Sequence, residues 1–230
     1  MKRIGILGGM SWESTQSYYR ILNEEIRRRL GALHSAEILL YSVDFEPIER
    51  LQHRGEWDAA AQILLEDARS LERAGADFLL LATNTMHKIA PTLEKHLHIE
   101  LLHIADAVGQ ALRHDDISRV GLLGTAFTME EDFYRRRLEE RYDLEVLIPE
   151  GEDRSHVHRV IYDELCLGIT RDESRQRYLR IIDKLRERGA EAVILGCTEI
   201  GLLLDDVPAS LPLYDSTEVH ALAAVERALR

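Results

Sequence analysis

An internal duplication constrains this chain more than any other feature. Arg3-Ile4-Gly5-Ile6-Leu7-Gly8 recurs as Arg119-Val120-Gly121-Leu122-Leu123-Gly124, at an offset that also brings Tyr18 onto Tyr134 and Leu22 onto Leu138. Gly75-Ala76-Asp77-Phe78-Leu79-Leu80-Leu81-Ala82-Thr83 recurs as Gly189-Ala190-Glu191-Ala192-Val193-Ile194-Leu195-Gly196-Cys197 at nearly the same offset, about half the chain. A duplicated half-molecule is expected to fold as two copies about a pseudo-two-fold axis, with Thr83 and Cys197 facing each other across a cleft. Cysteine stands in one copy where threonine stands in the other.

Short apolar runs rich in β-branched residues alternate with longer amphipathic segments, the signature of β-α units around a largely parallel sheet. Strands are expected near residues 2–7, 37–43, 77–82, 99–103, 119–123, 144–148, 191–196 and 211–214, four in each copy. Helices are expected near 12–30, 57–74, 104–113, 128–141, 154–167, 171–188 and 216–229. Thr128-Met129-Glu130-Glu131 reads as a capping box, and Asp215-Ser216-Thr217-Glu218 as a weaker one with Asp as the cap. The fold class is α/β: two pseudo-symmetric domains, each a four-stranded, mostly parallel sheet flanked by helices, with an active site in the interdomain cleft. Residues 1–114 plus 211–230 are assigned to the first domain and 115–210 to the second.

Composition narrows the functional class. A net charge of −12 opposes a nucleic-acid surface, since neutralising phosphates needs a basic face. No apolar run reaches the length of a membrane helix, and Met1-Lys2-Arg3 leads into a strand pattern, so a cytoplasmic protein is expected. Two cysteines, Cys166 and Cys197, make no disulfide framework and no Cys-x-x-Cys. The histidines show no paired-ligand spacing, and no metal is expected.

Cys197 ends the run Ala192-Val193-Ile194-Leu195-Gly196 and precedes Thr198-Glu199-Ile200-Gly201. Ligands of open α/β sheets bind at the carboxyl ends of strands, where amides of the following turn point outward. Those dipoles are expected to lower the thiol's pKa and make it a nucleophile or base. Thr83-Asn84-Thr85 holds the mirror position; its amides and neutral side chains suit a carboxylate, or simply form a turn. Gly8-Gly9-Met10-Ser11 and Gly124-Thr125-Ala126-Phe127-Thr128 follow the first strand of each copy without any dinucleotide or phosphate-loop pattern. Met10, Ser11, Thr125 and Thr128 are candidates to line the same cleft, with helix capping as the alternative for Ser11 and Thr128. Cys166 lies in a helical stretch and reads as a packed or cleft-lining residue.

With these residues assembled, the chain resembles the cofactor-independent aspartate/glutamate racemase family over essentially its whole length. Gly-Gly-Met-Ser-Trp-Glu-Ser at 8–14, Thr-Asn-Thr-Met-His-Lys at 83–88 and Gly-Cys-Thr-Glu-Ile at 196–200 carry the resemblance. It implies a homodimeric amino-acid racemase that needs no cofactor and acts on a small acidic amino acid. In that family one thiolate removes the α-proton and an opposite thiol protonates the other face. Inversion through a planar carbanion needs proton traffic on both faces, which a two-sided cleft provides. Donors from Asn84, Thr85 and Thr198 would stabilise the enediolate, with Glu199 among the binding residues.

Thr83 occupies the place of the family's first cysteine, and a threonine hydroxyl is too weak an acid for two-thiol exchange. The expectation is a one-base enzyme, with Cys197 deprotonating the L form of aspartate or glutamate and water or a relay through Thr83 serving the other face, kinetically favouring L to D. The resemblance also implies anchors for the side-chain carboxylate. The segment Ile161-Tyr162-Asp163-Glu164-Leu165-Cys166-Leu167-Gly168 lacks the lysine that some aspartate racemases carry; after the second strand Gln52 is the candidate, with Arg50 or Arg54 as charged ones. A neutral amide there should discriminate less sharply between aspartate and glutamate. Two other readings stay open: a maleate isomerase-like enzyme using Cys197 as nucleophile, and a sensor of an acidic metabolite with reduced catalysis.

Overall fold

A computed structural model describes residues 1–204 and 207–230. The chain forms two compact units, Met1–Ile104 with His220–Arg230, and Ala105–Val219. The first contains β1 (Ile4–Gly8), α1 (Trp12–Leu30), β2 (Ile38–Ser42), α2 (Phe45–Arg54), α3 (Trp57–Arg73), β3 (Phe78–Leu81), a 3-10 turn at Thr85–Ile89, α4 (Ala90–His96) and β4 (Glu100–Leu102). From α5 (Ile104–His114) the chain continues through β5 (Arg119–Gly124), α6 (Ala126–Glu130), α7 (Asp132–Tyr142), β6 (Glu145–Leu147) and α8 (Gly151–Asp163). It then runs through a 3-10 turn at Leu165–Leu167, α9 (Asp172–Glu187), β7 (Ala192–Gly196), α10 (Ile200–Leu204), β8 (Leu213–Asp215) and α11 (Ser216–Leu229).

Each unit holds a four-stranded parallel sheet, ordered β2-β1-β3-β4 in one and β6-β5-β7-β8 in the other. Such an order reverses direction once, between β1 and β3 and again between β5 and β7, which is where a doubly wound sheet opens a crevice at its carboxyl edge. The central strands are buried along their length, as expected where helices cover both faces. In the first unit the period of two sorts the side chains cleanly. Leu7, Leu79 and Leu81 join the core under α2, α3 and α4, whereas Ile4, Ile6, Phe78 and Leu80 join Tyr18, Leu22 and Ile26 of α1.

The duplication persists in atomic detail. Gly75 and Gly189 both have φ near +93°, and a Cβ on either would stand 2.6 Å from a guanidinium nitrogen of Arg3 or Arg119. Asp77 then receives the Arg3 amide and Glu191 the Arg119 amide, at 2.6 and 2.9 Å. Tyr18 and Tyr134, with Leu22 and Leu138, are fully buried on corresponding helices.

Three expectations need correction. β8 pairs with β7, so residues 213–215 complete the second sheet and do not return to the first. α5 falls in the second unit apart from its first residue, because Arg137 of α7 holds Asp106 with two hydrogen bonds of 2.8 and 2.7 Å. Only the later part of α11 belongs with the first unit, where Ala221, Ala224, Val225 and Ala228 lay a narrow stripe on the core beside α1. The capping box at Thr128 is also displaced: Thr125 is the cap, its hydroxyl receiving the Thr128 amide at 3.3 Å. Asp215 does cap α11, taking the amides of Thr217 and Glu218. Helices α2, α4 and α10 escape the sequence reading because each is short; Pro47 stands in the first turn of α2, where proline costs the helix no hydrogen bond.

His220 in α11 joins these elements. Its Nε2 lies 2.8 Å from the Leu102 carbonyl, which can only accept, so Nδ1 is bare and accepts from the Tyr18 hydroxyl at 2.7 Å. Burial pulls this imidazole down from the ordinary 6.5 to about 4. Below pH 6.5 the unfolded chain binds a proton that the native ring refuses. Stability contributed above 6.5 is therefore lost as the pH falls towards 4. Urea unfolding of the wild type and of His220→Gln at pH 7 and pH 5 should show the wild type losing about 2 kcal/mol more over that interval.

Candidate functional site

In the first unit the loops after β1 and β3 emerge side by side at the point where the sheet reverses. Ser11 is the N-cap of α1, receiving the Ser14 amide at 3.4 Å. Thr15 ties the loop down: its hydroxyl accepts from the Gly9 amide at 2.8 Å and donates to the Ser11 carbonyl at 2.9 Å. Met10 lies in the hydrophobic core with Ile48 and Met86. Thr83, Asn84 and Thr85 are all buried. Thr83 makes a tight turn, its amide donating to the Leu81 carbonyl at 2.9 Å.

The three candidates after β2 separate by helical phase. Arg50 and Arg54 of α2 are exposed, while Gln52, one turn from buried Ile48, is only 2% exposed. Its Nε2 donates to Met86 Sδ at 2.8 Å, and its Oε1 is buried with no hydrogen-bond partner among the described residues. A buried, unsatisfied amide oxygen costs free energy until something fills it. Gln52 falls beside the turn that carries Thr85 and Met86.

In the second unit Gly124 and Gly196 are opposed at the ends of β5 and β7. A Cβ on Gly196 would stand 2.8 Å from Leu122 Cδ1 and 3.0 Å from the Leu123 carbonyl oxygen, so only glycine lets the strands close here. Thr125 and Thr128 lie after β5 with hydroxyls 3.2 Å apart, and the Thr128 methyl abuts the same glycine. The Ala126 amide donates to His158 Nδ1 at 3.1 Å, a contact no local pattern announces.

Cys197 follows Gly196 directly and is 8% exposed. Its thiol donates to Glu199 Oε2 at 2.9 Å, and the Thr198 hydroxyl donates to the same oxygen at 2.8 Å. The expected depression of the thiol pKa is overturned. Burial pushes Cys197 well up, and the charge of Glu199, the neighbouring Cys166 and the hydrogen bond to Glu199 push it the same way. The Glu199 backbone amide acts downward, as the strand-end argument required, but it is the weakest contributor. A buried sulfur beside a buried carboxylate avoids a second negative charge by keeping its proton and lending it to the carboxylate. Tyr178, whose hydroxyl donates to the Val157 carbonyl at 3.0 Å, is raised by burial and, next, by the charges of Cys197, Glu164 and Cys166. The two cysteines therefore share one electrostatic neighbourhood.

Among the described residues, no group of three or more His, Cys, Asp or Glu side chains is placed to hold a metal ion, and no helix is long and apolar enough to cross a membrane. His87, also buried, was not singled out from the sequence. Its spacing of four from Thr83 was the available signal, since a histidine can bond back to the carbonyl one turn earlier.

Known proteins with this arrangement form a consistent set. The pattern of the Asp/Glu/Hydantoin racemase family matches residues 7–224, and the chain belongs to that family. The crystal structure of a candidate Asp/Glu racemase from Yersinia pestis is similar at 50% identity, covering 100% of each chain with a TM-score of 0.93. An aspartate racemase homologue from Pyrococcus horikoshii OT3 has 35% identity, the same full coverage and a TM-score of 0.87. The broad-specificity amino-acid racemase RacX of Bacillus subtilis (strain 168) is 24% identical, covering 96% of both chains. The protein is accordingly a racemase-type enzyme, of a family that works without a cofactor.

The pH dependence of Cys197 alkylation by iodoacetamide checks the electrostatics of the pair. Its midpoint should lie above the value of about 8.5 typical of a free cysteine. Glu199→Gln removes the carboxylate charge and should move the midpoint down; a midpoint below 8 in the wild type contradicts the burial argument. Cys166→Ser serves as the background, so that only Cys197 is read.

Proposed function

We propose that the protein interconverts the L and D forms of aspartate and glutamate by removing and returning the α-proton, with Cys197 as its single thiol base. The observation that carries the reading is the Cys197–Glu199 hydrogen bond, buried at the carboxyl end of β7. In the forward step the α-carbon's C–H bond breaks, its electron pair passes into the carboxylate as an enediolate, and sulfur receives the proton. The thiol's original proton moves to Glu199. The pair passes from one negative charge to none while the substrate gains one as the enediolate, so the total charge of the site is conserved and sulfur never carries a charge alongside that of Glu199. Glu199 thereby changes from a binding candidate to the thiol's proton acceptor; an anion facing the substrate's carboxylates would repel them.

The reading requires Thr83 to serve the opposite face of the same α-carbon, passing on a proton from water. Asn84 and Thr85 supply neutral donors to the enediolate, as does Thr198 once protonation of Glu199 releases its hydroxyl, with Ser11, Thr125 and Thr128 at the strand ends of their own units. Met10, packed into the core, contributes shape. Gln52 can meet the side-chain carboxylate only through an Nε2 hydrogen, since its Oε1 is an acceptor like the carboxylate, and a neutral amide there favours tolerance between aspartate and glutamate. In keeping with the sequence resemblance, the working form is a homodimer in the cytoplasm.

Neither enantiomer can be favoured at equilibrium, so direction is a matter of rates. Purified protein incubated in heavy water with L- or D-aspartate, and with L- or D-glutamate, without pyridoxal phosphate or metal, should exchange the α-proton of the L forms faster. Equal exchange from both enantiomers contradicts the one-base assignment. Cys197→Ser should lose exchange by at least about a hundredfold while still binding substrate, since a positioned acid–base group contributes at least that factor. A metabolite sensor would bind without exchanging in either form. A maleate isomerase-like enzyme would isomerise maleate and leave the amino acids unchanged.

A further inference from the structure

Four buried side chains in the first unit have no part in the chemistry above: Tyr18, His87, His103 and His220. The three histidines gather at the end of β4, Tyr18 bonds to His220, and His87 reaches the proposed catalytic loop. His87 Nδ1 lies 2.7 Å from the Thr83 carbonyl, and its Nε2 lies 3.2 Å from the Ile104 amide nitrogen. The amide can only donate, so Nε2 is the bare nitrogen and Nδ1 carries the proton given to Thr83. The ring is therefore neutral and in a single tautomer. His103 packs against it with ring centroids 4.3 Å apart, and His220 meets it edge-on at 6.1 Å. His220 holds the Leu102 carbonyl through its own Nε2 and anchors to Tyr18. Leu102–Ile104 is thus gripped from its carbonyl side by one imidazole and from its amide side by the other.

The consequence for Thr83 is direct. Its amide is committed to Leu81 and its carbonyl to His87, so both peptide groups that set its orientation are fixed. We propose that His87 is a positioning residue for this loop: it aims Thr83 and Asn84 at the substrate by tying Thr83's carbonyl rigidly to the start of α5. Misplacement by about an ångström is enough to cost up to a hundredfold in rate. Cys197 belongs to the other unit and does not depend on this tie, so loss of His87 should harm reprotonation of the Thr83 face more than proton removal by sulfur. The inference rests on the racemase reading.

Two conservative variants separate the two bonds of the ring. Asparagine places an amide nitrogen near the position of Nδ1 and can keep the bond to Thr83; glutamine places an oxygen near Nε2 and can keep only the bond from Ile104. With L-aspartate in heavy water, α-proton exchange reads the Cys197 step, and chiral separation of D-aspartate reads inversion. His87→Gln should lower inversion by about ten- to a hundredfold while exchange falls far less, and His87→Asn should recover most of the inversion. Equal loss of exchange and inversion in the glutamine variant, or failure of asparagine to recover inversion better than glutamine, overturns the assignment to His87. A wild-type protein that neither exchanges nor inverts the substrate overturns the racemase reading itself, and this inference with it.

Discussion

Everything functional in this molecule follows from where parallel strands can end. β1 beside β3, and β5 beside β7, run in the same direction while their outgoing connections leave towards opposite faces of the sheet. No helix can cover the gap between such a pair, so the backbone amides and side chains of the two loops are left to meet a ligand. The fully buried central strands make that position rigid. Glycine at Gly196 lets the strands close to their tips, so the next residue, Cys197, starts from a fixed backbone.

The same frame is built twice, yet the two copies are filled with opposite chemistry. The second carries a thiol and a carboxylate in contact, with one proton between them and the sulfur's ionisation opposed by burial and by its neighbours. The first carries Thr83, Asn84 and Thr85 and is supported from behind by neutral imidazoles of fixed tautomer. On the proposed reading one half exchanges a proton and the other holds a geometry. An acid–base pair that must trade a proton benefits from low dielectric surroundings because its internal transfer conserves charge. A loop that must aim hydroxyl and amide groups benefits from partners held in one tautomer, and burial pulls the pKa of His220 down to about 4.

Much of this was legible in the chain. All eight strands fell within a residue or two of their expected positions, because period-two alternation and buried apolar runs are written in adjacent residues. The strand-end placement of Cys197 and Thr83 followed from the same runs. The errors have a common source. The cap at Thr125 instead of Thr128 and the assignment of β8 to the second sheet each depend on contacts made after the elements pack. The thiol's raised pKa belongs with them: the amide that lowers it is local, but the burial that outweighs it is contributed by the whole unit.

By itself the sequence determined the duplicated α/β frame, the strand ends on which chemistry can be mounted, and the replacement of a cysteine by Thr83. These depend on periodicity and on residue type at a position, which neighbouring residues encode. Tertiary structure alone decided the protonation of Cys197, the points at which the chain passes between its two units, and the bracket of His87 and His220 around Leu102–Ile104. Tyr18 and His220 stand 202 residues apart. Their hydrogen bond, like the desolvation of a buried sulfur, exists only once distant segments have excluded water from the space between them.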